Sequence, residues 1–169
     1  MRQKQPIDPD LRGRNAAELF RSHAPRLLAD LIESDPWRAS GTTDAERARR
    51  EWDVFALYAC VRGLVAGGGF NRETAQSLDA MHAALLDARA DDSGETDTER
   101  RQRISARYEE YGAIGQAGGA SGAATVATRL GAAAARHMLG NEPAPEVSEL
   151  VGALHESLAE AVTAQVRGF

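Results

Sequence analysis

The chain has 169 residues, 43% of them apolar, and a formal charge of −5. Alanine supplies 32 residues against 15 Leu, 8 Val and 4 Ile, and only 9 residues are aromatic, which argues against a β-sandwich or barrel built on β-branched and aromatic side chains. The single cysteine, Cys60, excludes an intrachain disulfide framework and a multi-cysteine metal centre, and the acidic balance argues against general nucleic-acid binding, which relies on a clustered basic face.

Residues 1–14 contain Pro6 and Pro9 and show no periodicity, so they read as an extended arm ahead of a single helical domain over 15–169. No apolar run accompanies Arg2, Lys4, Asp8 and Asp10, so no secretory leader is expected and a cytoplasmic location is the default. Three helix starts carry a capping oxygen three residues ahead of a glutamate: Asn15 with Glu18, Thr43 with Glu46, and Thr96 with Glu99. Asn71 caps a further segment, and Pro145 suits the first turn of the last one, where a missing N–H does no harm. Stops fall at Gly67-Gly68-Gly69, at Asp91-Asp92-Ser93-Gly94 and at Gly140-Asn141.

These signals predict helices over about 16–33, 44–66, 72–90, from about 97, and 146–167. The first is expected to bend or restart at Pro25. The second is apolar almost all round from Val54 onward and should be central. The third places Ala75, Leu78, His82 and Leu85 on one stripe, and the fourth aligns Ile104, Tyr108 and Tyr111. No alternating strand pattern of useful length occurs, so the fold class is all-α, a compact bundle of five or six helices.

The segment Gly112–Gly122 holds five glycines, which would cost a continuous helix about 4–5 kcal/mol relative to alanine. A turn near Gly118-Gly119, with Ser121 capping a sixth helix that ends near Leu139, is the preferred reading. The alternatives are close helix packing through Gly115 and Gly119, or a platform for a flat ligand. Residues 111–128 are uncharged but mostly Gly and Ala, with no Leu, so no membrane span is expected there.

Arg62 lies within the apolar second helix and needs a partner if buried; Glu109, Glu110 and Asp79 are the candidates. The ordinary reading is a snorkelling side chain. The sharper one is an anion or small-molecule site around Arg62, lined by Tyr58, Tyr111, Gly115 and Gly119. Asp79 and His82 stand three apart, but no Glu-x-x-His accompanies them, so no metal or other cofactor is expected. An enzyme would have to use Glu109 or Glu110, or Asp79 with His82. Arg100, Arg101, Arg103 and Arg107 form the most basic stretch and read as a solvated face paired with nearby acids, with phosphate contact as the alternative. Cys60 reads as an inert core thiol.

The last helix carries the cleanest stripe, Val147, Val151, Leu154, Leu158 and Val162, and is the expected interface. The leading functional expectation is therefore a non-enzymatic cytoplasmic protein that associates with a protein partner or with itself as a homodimer, without nucleic acid or membrane.

Overall fold

The computed structural model describes residues 7–86, 94–117 and 123–168. Among them the chain is all-helical, with seven helices: α1 (Pro9–Glu33), α2 (Asp35–Ala39), α3 (Ala45–Gly68), α4 (Arg72–Leu86), α5 (Asp97–Ala117), α6 (Ala123–Leu139) and α7 (Pro145–Arg167). The seventh beyond the expected count is the short α2, started by Ser34, whose side chain accepts from the Trp37 N–H, with Pro36 in its first turn. No described helix is long and apolar enough to cross a membrane.

The arm reading fails over residues 9–14, which already belong to α1. Asp8 is the cap, accepting from the Asp10 N–H, and Pro9 opens the helix. Asn15 is consequently inside the helix and caps nothing. The helix also runs unbroken through Pro25. At α3 the cap is Asp44 rather than Thr43, accepting from the Arg47 N–H at 3.0 Å. The Thr96–Glu99 box forms in both directions, at 3.0 and 3.1 Å. Asn71 caps α4 by accepting from the Thr74 N–H at 2.9 Å. The expected turn at Gly118-Gly119, the Ser121 cap, Gly119 itself and the stop at Asp91-Asp92-Ser93 lie outside the described residues.

Helices α3 and α7 form the central pair, α6 packs on both, and α1 packs on α3, α7 and α4, while α5 lies against α3 and α6. Small residues set these distances. A Cβ on Gly131 of α6 would collide with the Ser148 carbonyl oxygen and lie 2.7 Å from the Gly152 nitrogen on α7. On α3, a Cβ at Gly63 would meet the Ala159 carbonyl oxygen of α7 at 2.6 Å. The backbones therefore touch at these crossings, and ten alanines are among the described buried apolar residues. An alanine-rich chain fills its interior by bringing helices together rather than by adding side-chain volume.

One row of aromatic rings runs along α3 at helical spacing. Trp52 donates its indole N–H to the Ala24 carbonyl at 2.9 Å and meets Phe55 edge-on at 6.2 Å. Phe55 stacks on His155 of α7 at 4.0 Å and tilts against Tyr111 of α5 at 5.1 Å. Tyr58 continues the row beside Tyr108 and Tyr111, each at 5.5 Å. Arg62 comes one helical turn later, where the row reaches the surface.

Candidate functional site

The outer end of that aromatic row opens into a groove of about 500 Å³ between α3 and α7. Tyr58, Val61, Arg62 and Val65 line it from α3, and Glu156, Glu160 and Thr163 from α7. The Arg62 guanidinium donates to the Glu156 carboxylate across the groove. This partner was not among the acids expected for Arg62. Glu156 follows the core residue His155 on a helix, and its side chain comes out about 100° further round, at the edge facing α3. Each side chain of the pair is about a quarter exposed, so the Arg62 charge is paired and still partly hydrated. Burial raises the Tyr58 hydroxyl above its ordinary pKa, and the Arg62 charge pulls partly against that rise.

Phe70 stands at the rim of the groove, 96% exposed. The turn that carries it is tied on both sides. Gly69 takes φ +81° and its N–H donates to the Val65 carbonyl at 2.7 Å, while the Asn71 amide donates to the Gly68 carbonyl at 2.7 Å. The ring is thus held out in water by a closed turn between α3 and α4. Sequence reading passed over Phe70; its signal was a large aromatic between a glycine run and a helix cap.

Of the residues expected to line an Arg62 pocket, Tyr58 is in the groove and Tyr111 is not. Tyr111 is fully buried beyond Tyr58, and burial raises its hydroxyl well above the ordinary range. Gly115 faces open space, with nothing within 4 Å of a built Cβ, so the close backbone approaches lie at other glycines. The expected interface stripe on α7 is core: Val147, Val151, Leu158 and Val162 are at most 1% exposed within a single chain, and Leu154 is half-buried. A clean apolar stripe says that something covers it; here α3 and α6 of the same chain do so.

The candidate acids and bases do not converge. Glu109 is exposed, Glu110 pairs with His137 Nε2 at 2.7 Å, and Asp79 is exposed on α4. His82 Nδ1 bonds to the Leu78 carbonyl at 2.8 Å, and its Nε2 bonds to the Tyr108 hydroxyl at 2.9 Å. Burial lowers the His82 pKa, against that backbone bond and the charge of Asp79. His155 is fully buried, bonded through Nδ1 to the Phe55 carbonyl at 3.0 Å, and burial together with Arg62 lowers its pKa to about 3. Cys60 is buried and its thiol is pushed up to about 12, as an inert thiol requires. Among the described residues no three His, Cys, Asp or Glu side chains are grouped to hold a metal ion.

The chain matches no family model, no curated protein and no solved structure.

Proposed function

We propose that this is a non-enzymatic, cytoplasmic helical protein that works by association, and that its surface for a second copy of the chain is the α3–α7 groove with Phe70. The observation that carries the reading is the nearly fully exposed Phe70 ring, fixed by a closed turn directly beside an open groove. Projection and groove lie on the same face of one chain. A two-fold axis through that face would seat each Phe70 in the partner's groove, which is how isologous dimers form. The lone buried thiol suits a reducing compartment.

Burying one Phe ring contributes about 1.5–3 kcal/mol, so two rings fall near or below the association cost of roughly 4–15 kcal/mol. Val61 and Val65 must close together with them, and the dimer is expected to be weak and concentration-dependent. Sedimentation equilibrium over a concentration series tests this. The native chain should move from monomer to dimer, and Phe70→Ala should stay monomeric, with the same thermal midpoint as the native chain at dilutions where both are monomers, since the ring touches little within its own chain. A native chain that remains monomeric at several hundred micromolar would end the proposal.

A further inference from the structure

On another side of α3, a recess of about 140 Å³ lies between α1, α3, α4 and α5. Its apolar wall includes Phe20, Leu57 and Ile104. Its polar wall carries four arginines, Arg49, Arg50, Arg100 and Arg103, with one carboxylate, Asp53. Two of the four charges are balanced locally. Arg49 lies 3.6 Å from Asp53 and 3.8 Å from Glu46, and Arg103 makes a forked pair with Glu95 at 2.9 and 3.1 Å. Arg50 and Arg100 have no carboxylate partner among the described residues, and the Arg50 Nε is buried with no hydrogen-bond acceptor.

Arg103 also donates to the Arg50 carbonyl at 3.2 Å, which ties the early part of α5 to α3 beside the recess. Placement along α5 adds a second oddity. Arg100 closes the first turn of α5, the positive end of the helix, where a cation lowers helix stability. Like charges gathered over an apolar wall, at the unfavourable end of a helix, are stabilised when an anion sits among them.

We infer that this recess binds a compact organic oxyanion, a carboxylate or phosphate on a small apolar body, with Arg50 and Arg100 holding the charge and Phe20, Leu57 and Ile104 holding the body. The volume is close to the roughly 150 Å³ that accommodates a benzene-sized molecule. The site is separate from the Phe70 face, and neither proposal depends on the other.

Benzoate, phenyl phosphate, the neutral isostere benzamide and inorganic phosphate are the probes, titrated into the native chain and followed by amide and arginine side-chain NMR shifts. Benzoate or phenyl phosphate should shift the residues of the recess saturably, and benzamide should bind at least about tenfold more weakly. The tighter of the two anions identifies the head group. Arg50→Gln and Arg100→Gln should each weaken that probe by about tenfold, while Arg101→Gln, on the exposed side of α5, should leave it unchanged. Absence of saturable shifts with both organic anions, or benzamide binding as tightly as they do, overturns the assignment. Inorganic phosphate matching both at the same residues also overturns it, by reducing the recess to a bare ionic patch. The probe comparison uses the native chain, so the inference stays testable even if a variant fails to fold.

Discussion

A methyl group added at Gly131 would strike the Ser148 carbonyl oxygen, whereas one added at Gly115 would meet nothing within 4 Å. The same substitution should therefore have opposite signs at the two sites. Gly115→Ala is expected to stabilise by up to about 1 kcal/mol through helix propensity. Gly131→Ala must push α6 from α7 and should cost about 3 kcal/mol, at the upper end for overpacking. Urea unfolding of both variants checks the pair, and a Gly131→Ala variant as stable as the native chain would refute the close crossing. His155 supplies a prediction in pH. An unfolded histidine titrates near 6.5, whereas His155 in the folded chain titrates at about 3. Between those values the unfolded chain binds the extra proton, so stability falls as pH drops below about 6.5, by at most about 1.4 kcal/mol per unit. From pH 7.5 to 5 the native chain should lose about 2 kcal/mol more than His155→Phe, which keeps a ring beside Phe55 but cannot titrate. Equal losses in the two proteins would mean that burial of a neutral imidazole is not the cause.

Among the helices, α5 is attached differently from the rest. Ile104 and Tyr111 are its only buried residues among those described, and polar bonds from three neighbouring helices hold it. Arg107 forks onto Glu51 of α3 at 2.9 and 3.1 Å, Tyr108 meets His82 of α4, and Glu110 meets His137 of α6. Glu51 is 7% exposed, so removing its charge leaves Arg107 without a full partner in a poorly hydrated place. Hydrogen exchange should show α5 amides opening locally at lower free energy than those of α3 and α7. Glu51→Gln should speed exchange across α5 while leaving α7 nearly unchanged. Uniform acceleration over all helices would instead make Glu51 a global stabiliser. Helix ends were legible in sequence where cap and partner are near neighbours, as at Thr96 and Glu99 or Asn71. The start of α1 was equally local, in Asp8 and Pro9, but lay inside a stretch read as an arm. Facing relations were not legible. Whether Gly115 or Gly131 touches a neighbour, and whether Arg62 finds Glu109 or Glu156, depends on which helices pack together, and periodicity along one helix does not contain that.

At the scale of the whole molecule, the α7 stripe shows how much of a functional site sequence can offer. The stripe was correctly seen as apolar and wrongly assigned to a partner, because the interior of one chain and the interface of two ask for the same side chains. The association proposed above falls to the Phe70 face, where the exposed ring and the groove remain after α3, α6 and α7 have buried one another. Each copy carries a formal charge of −5, so two copies repel at long range. Added sodium chloride should therefore strengthen dimerisation of the native chain, as screening removes the repulsion and leaves apolar burial. Sedimentation at low and moderate salt checks this, and weakening by salt would point to ion pairs rather than Phe70 as the driving contact.

Cys60 is fully buried on α3, one of the two central helices, and it is the chain's one sulfhydryl. A reagent for thiols has no target until the bundle parts, and each parting exposes one. In water, without denaturant, the slow growth of a single covalent label thus becomes a clock. Its rate, set against that of a free thiol, gives the fraction of time this molecule spends open.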